Sequence, residues 1–199
     1  MSLFRKRELP PEVAQRVPPG QTLTDKWPVL HYGPVPRFDP RTWDFRVFGN
    51  VEHPFRLTWE EFMALPRETC TADMHCVTTW SKLDQVWEGV PFRVIRERAQ
   101  PRPDTGFVIS HCEHGFTANV PLDAVMDDKV MLATGANGEP LTPDHGYPLR
   151  LVVPQLYAWK SAKWLRGIEF SVVDKPGFWE RNGYNNRGDP WLEERYWGD

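Results

Sequence analysis

The chain has 199 residues, room for one domain with a sizeable core and too few for two ordinary ones. Its 40% hydrophobic and 26% charged content is a normal globular balance, and a net charge of −3 lacks the basic excess that nucleic-acid binding needs. Twenty prolines and ten tryptophans predict a loop-rich fold in which aromatic rings line a cavity or seal a core.

Residues 1–22 are charged and proline-rich and read as an extended arm ahead of a single domain over 23–199. The arm has no apolar run of signal-peptide length and no twin-arginine pair ahead of one. No later stretch approaches the roughly 20 apolar residues of a membrane span, so the expectation is a cytoplasmic chain with reduced thiols.

Four prolines between Trp27 and Pro40 exclude helix and central strand there, while the aromatic content predicts packing. TWDFRVFGNV alternates Phe45 and Val47 with polar neighbours, a strand signature. Thr58 and Glu61 form a capping box ahead of a short helix that Pro66 stops. Cys70 to Trp80 shows no period and reads as a loop. Pro91 opens a helix at VIRERA, with Pro101 as the next breaker. FVISH and FTANV read as strands around a tight connection, PLDAVM as a helical turn or two, and Asn137-Gly138 as a turn. RLVVP and GIEFSVV read as strands. The tail from Lys175 has no period and reads as an ordered loop, because Trp179, Trp191, Tyr196 and Trp197 are costly to leave in water. Strands and short helices mix without regular βαβ alternation, which predicts an α+β domain with mixed β-sheets.

The three cysteines, Cys70, Cys76 and Cys112, are an odd number without CxxC spacing, a poor disulfide framework and a poor structural zinc site. Cys76 follows His75 in ADMHCVTTWS; the residues leave it open as a nucleophile, a metal ligand or a small buried side chain. His145 to Phe170 gathers Arg150, Lys160, Ser161 and Lys163, donors suited to a phosphate or other dianion or simply to a solvated surface. No glycine-rich phosphate loop occurs, which argues against a nucleotide. His111, Cys112 and His114 have metal-compatible spacing without a matching second pair.

The order of segments resembles the molybdopterin-binding domain of the sulfite-oxidase-like family, more closely the methionine-sulfoxide reductase catalytic subunit than true sulfite oxidases. The matching pieces are HYGPVP at 31–36, the cysteine and tryptophan-bearing stretch at 76–80, WEGVPF at 87–92, NGEPLTPDHGYPLRLVVP at 137–154 and KSAKWLRGIEF at 160–170. GYPLRLVVP followed closely by KSxKW is the most specific part.

The resemblance implies the sulfite-oxidase molybdopterin-binding fold and a molybdenum-molybdopterin oxidoreductase with Cys76 as the metal ligand, where soft thiolate suits the metal. It places His31 and Tyr32 against the pterin, and His111 or Cys112 near another cofactor-lining position. His145 and Arg150 would approach the pterin and its phosphate, Ser161, Ala162 and Lys163 the phosphate, with Lys160 supporting the charge of that turn. His75, Tyr32 and Lys82 are candidates for orienting substrate.

The stretch after Cys76, VTTWSKLD, lacks the asparagine–arginine–arginine cluster with which sulfite oxidases bind sulfite. The implied reaction is therefore two-electron oxygen-atom transfer that reduces a small S- or N-oxide rather than oxidising sulfite, with electrons from a separate electron-transfer protein. Two alternatives stand beside it. One is a non-catalytic molybdopterin-binding or interaction module that retains the fold. The other makes Cys76 a thiol nucleophile with His75 or His111 as base.

Overall fold

The computed structural model describes residues 9–199. A helical turn, α1 (Pro11–Ala14), precedes β1 (Thr22–Leu23), β2 (Asp44–Gly49), β3 (Phe55–Thr58), α2 (Trp59–Met63), β4 (Glu68–His75), β5 (Trp80–Pro91) and α3 (Phe92–Ala99). There follow β6 (Phe107–Cys112), β7 (Thr117–Pro121), β8 (Met131–Ala136), β9 (Glu139–Pro140), β10 (Arg150–Val152), β11 (Leu165–Ser171) and α4 (Phe178–Arg181). Several 3₁₀ turns punctuate the connections, among them Glu113–Gly115 and Ala158–Lys160.

The strands form two mixed sheets. A five-stranded sheet runs β3-β2-β11-β6-β7, with β11 parallel to β2. A six-stranded sheet runs β1-β5-β8-β10, with β4 on β5 and β9 on β8. The larger core sits between elements of both sheets and the two longer helices: Phe45, Val47, Phe62, Ile95, Leu132, Leu151, Ile168 and Phe170 pack together. A second core, with Trp87, Met131, Ala133 and Val152, covers the opposite face of the six-stranded sheet. Successive side chains of a strand point to opposite faces. Leu132 therefore enters one core while Met131 and Ala133 enter the other, and all six residues of β8 are buried.

Most local expectations hold for a physical reason visible in place. Thr58 accepts the Glu61 amide and Glu61 accepts the Thr58 amide, so the capping box starts α2. Pro91 supplies the residue before α3. Asn137 and Gly138 both take positive φ, 56° and 85°, as a tight hairpin turn between β8 and β9 requires. Trp27 to Pro40 carries no helix or strand.

Three expectations are corrected. The arm is not extended throughout, since among its described residues Pro11–Ala14 form α1 and Thr22 already belongs to β1. The stretch from Cys70 on is not a loop, since β4 runs through His75 and pairs antiparallel with β5. A register shift between Ala72 and Met74 breaks the alternation that would have betrayed it. The tail is also less sheltered than its aromatics imply. Trp191, Tyr196 and Trp197 are 47%, 50% and 69% exposed. None of the helices described is long and apolar enough to cross a membrane.

Candidate functional site

The β4–β5 connection is a four-residue turn that presents Cys76. The Cys76 amide donates to Trp80 O at 2.9 Å, and the Thr79 amide to Cys76 O at 3.0 Å. Thr79 takes φ 69°, the left-handed conformation that closes the turn. Because β4 alternates, Met74 and Cys76 face a cavity of about 380 Å³ while His75 faces away. The Cys76 Sγ lies 3.1 Å from the Thr78 hydroxyl. Burial pushes its thiol upward in pKa, opposed by the Thr78 hydrogen bond and by the charges of Arg195 and Lys163.

The cationic part of the same cavity comes from β10 and the turn ahead of β11. Arg150 is 2% exposed, and its guanidinium lies 5.2 Å from the Trp87 ring and 5.8 Å from the Trp27 ring. It donates to His145 O at 3.1 Å and to Ser161 O at 2.8 Å. Burial alone lowers its pKa to about 9. Lys163 donates to Leu30 O at 2.9 Å and to Asp144 O at 2.6 Å. Burial, and then the charge of Arg150, lower its pKa to about 7. Neither cation has a carboxylate within ion-pairing distance among the described residues. A buried Arg150 and a partly exposed Lys163, each bonded only to carbonyls, leave an excess of positive charge in the cavity wall, which an anion would neutralise.

Of the residues singled out in the sequence, His31, Tyr32, Cys76, Arg150, Ser161, Ala162 and Lys163 line this one cavity. His31 bonds Gly33 O through Nδ1 at 3.0 Å and sits edge-on to Trp164, 5.1 Å away. The Ser161 hydroxyl accepts the Val153 amide at 2.9 Å. His145 stands one layer behind, stacked on the cavity-lining Trp27 at 3.8 Å with Nε2 3.2 Å from Trp27 O.

The others lie elsewhere. His75 bonds Ser81 at 2.8 Å, and burial pushes its pKa down. Lys82 donates to Asp25 O at 3.2 Å. His111 pairs with Glu169 at 2.9 Å on the five-stranded sheet. Cys112 belongs to the larger core, where burial drives its thiol far up. The Lys160 ammonium is wholly buried; it meets Glu180 at 2.6 Å, Asn186 O at 2.7 Å and Asn119 O at 2.9 Å. Its charge is neutralised there, away from the cavity.

Sequence reasoning missed several wall residues. His114, not His111 or Cys112, lines the cavity, since His114 and Gly115 both take positive φ (58° and 72°) and turn this segment over its mouth. Trp159, Phe178, Trp179 and Tyr184 add an aromatic wall. Tyr184 packs between Trp159 at 5.1 Å and Trp179 at 4.9 Å. The tryptophan count was the available signal, without a way to assign rings to places.

The family described as oxidoreductase molybdopterin binding domain matches residues 32–179. The chain is 52% identical over 185 residues to the uncharacterized oxidoreductase YuiH of Bacillus subtilis (strain 168), spanning 92% of this chain and 93% of that protein. It is 30% identical over 162 residues to the protein-methionine-sulfoxide reductase catalytic subunit MsrP of Gluconobacter oxydans (strain 621H), spanning 72% of this chain and 52% of that protein. It thus spans about half of that relative's length. The sulfane dehydrogenase SoxCD of Paracoccus pantotrophus shares the fold, with a TM-score of 0.67 at 22% identity over 96% of this chain and 61% of that one.

Proposed function

This chain belongs to the family of oxidoreductase molybdopterin binding domains, and from that premise we propose that it performs two-electron oxygen-atom transfer, reducing a small S- or N-oxide in preference to oxidising sulfite. One observation carries the reading: a thiol and two cations without a carboxylate partner, Arg150 buried and Lys163 partly so, line the same cavity. That donor set fits a cofactor with a soft metal at one end and a phosphate at the other.

Cys76 would hold molybdenum as thiolate, and Arg150 and Lys163 the phosphate, with Ser161 and Ala162 forming the turn beside it. His31 and Tyr32 would bound the organic part. We place the cofactor domain at residues 23–199 with 1–22 as its arm. The bound cofactor supplies the redox chemistry, and the chain positions it and shapes access.

The substrate class is argued from the wall. The Cys76 turn offers Val77, Thr78 and Thr79 and no arginine. Tyr32, Phe116, Phe178, Trp179 and Tyr184 present apolar faces that suit a neutral organic oxide better than a small hydrated anion. The similarity to the methionine-sulfoxide reductase subunit points the same way. Electrons would come from a separate electron-transfer protein.

The test is elemental analysis of protein expressed with ample cofactor supply, then reduction of organic sulfoxides and N-oxides by a reduced viologen dye. About one molybdenum per chain is expected, with turnover that Cys76→Ser abolishes. Metal-free protein, or full turnover in the serine variant, overturns the assignment.

A further inference from the structure

The turn that presents Cys76 is held from outside the segment that matches the family, by one residue before it and one after it. From the arm, Gln21 Nε2 donates to Cys76 O at 3.1 Å. From the tail, Arg195 Nη1 donates to Val77 O at 2.9 Å, and its Nη2 reaches Pro19 O at 3.3 Å. The Arg195 guanidinium lies 5.0 Å from the Tyr157 ring centroid. Its side chain is 13% exposed, and its carboxylate neighbour, Glu193, is 3.7 Å away, beyond hydrogen-bond range.

The junction is tightly built. A Cβ added to Gly20, at φ +70°, would come within 2.8 Å of Glu193 Oε1 and 3.1 Å of Arg195 Nη2. The backbone of Arg195 also ties in the aromatic wall, since Asn185 N donates to Arg195 O at 3.1 Å and Tyr184 bridges to Tyr196. One side chain therefore joins the arm, the Cys76 turn and the tail behind Tyr184.

We propose that Arg195 is a positioning residue for Cys76, pinning the turn that carries the sulfur and fixing a positive charge beside it. The proposal rests on the reading of Cys76 as the molybdenum ligand. The nearest carboxylate to this half-buried guanidinium, Glu193, is 3.7 Å away and about half exposed, so the Arg195 charge acts on the neighbouring Cys76 sulfur through a medium of reduced dielectric, more strongly than in water. Such a charge disfavours the more oxidised state of a metal bound to the sulfur. The hydrogen bond to Val77 O restrains the turn whether or not a metal is present.

The experiment compares Arg195→Gln and Arg195→Lys with the parent by two readouts. Amide hydrogen exchange of Cys76 and Thr79 reports the turn and needs no metal. A redox titration of the loaded protein, followed by the paramagnetic signal of the half-reduced metal, reports the charge. Arg195→Gln is expected to speed exchange at both amides about tenfold, as loss of one restraining hydrogen bond implies, and to lower the midpoint potential. Arg195→Lys is expected to speed exchange similarly while leaving the potential near that of the parent, because the charge stays and the two-pronged fork is lost. Unchanged exchange in both variants, or an unchanged potential in Arg195→Gln, overturns the proposal. Should Arg195→Gln fail to fold, Arg195→Lys decides alone: exchange as slow as in the parent, or a shifted potential, overturns it. Failure of the parent to take up molybdenum under ample cofactor supply would refute the metal reading, and faster exchange in the variants would then leave the restraint standing.

Discussion

Arg150 and Lys163 stand against one cavity and repel each other there. The charge of Arg150, after burial, holds Lys163 near pKa 7, while Lys163 itself bonds only carbonyl oxygens. A lysine so placed changes its charge within the ordinary working range of pH, and an anion that reaches it takes a proton with it.

The sign follows from linkage. Lys163 has pKa about 7 in the folded chain against 10.5 for an ordinary lysine, so between those limits the unfolded chain binds more protons. The anion-free chain therefore gains stability as pH rises through that window. Cofactor binding restores the ammonium while Cys76 gives up its thiol proton, so calorimetry at pH 8 in buffers of different ionisation heat should show about one proton more taken up by the parent than by Lys163→Met. Equal proton balances in the two would mean that Lys163 is already charged.

Lys163→Met removes a cation without opening a buried carboxylate. Affinity for the phosphate-bearing cofactor should fall at least about tenfold, as loss of a charge-assisted contact predicts. The cofactor-free chain should stay within about 1 kcal/mol of the parent in denaturant unfolding. Equal losses in both would assign Lys163 to the fold instead.

Lys160 behaves in the opposite way. Lys160→Met leaves Glu180 buried without its partner, and should cost about 3–5 kcal/mol in denaturant unfolding. Lys160→Met with Glu180→Leu should recover most of that loss and load cofactor as the parent does. Poor loading by a stable double variant would return Lys160 to the phosphate.

Asp44 is a third test of buried charge. Burial raises its pKa, but hydrogen bonds from Arg46, Arg166 and Arg56 outweigh it and hold the group at about 2. Its lowered folded pKa means that its contribution is present above about pH 4 and lost as pH falls toward 2. Asp44→Asn should cost on the order of 2 kcal/mol at neutral pH and flatten the acid limb of the stability profile. An unchanged acid limb would show that the arginines do not act on it.

Local signals were legible where a residue acts on its own neighbours. Thr58 with Glu61, Pro91 before α3 and Asn137-Gly138 each constrain a few dihedrals, whatever the rest of the chain does. The order of the motifs around Cys76, Arg150 and Lys163 was legible too, because those segments carry the family resemblance whole. The side chains beside them were harder to read. His75 and Cys76 are adjacent, yet the strand points them to opposite faces; His111 and Cys112 belong to β6, while His114 turns over the cavity.

The amino-acid sequence by itself determined the family, the cofactor class and the candidate thiol, because these rest on residue types in a set order along the chain. Tertiary structure alone decided that Lys160 belongs to Glu180, that Arg150 and Lys163 share a wall with Cys76, and that Arg195 reaches the Cys76 turn. Those are contacts between residues far apart in sequence, and the packing that brings them together leaves no periodic trace in any one segment.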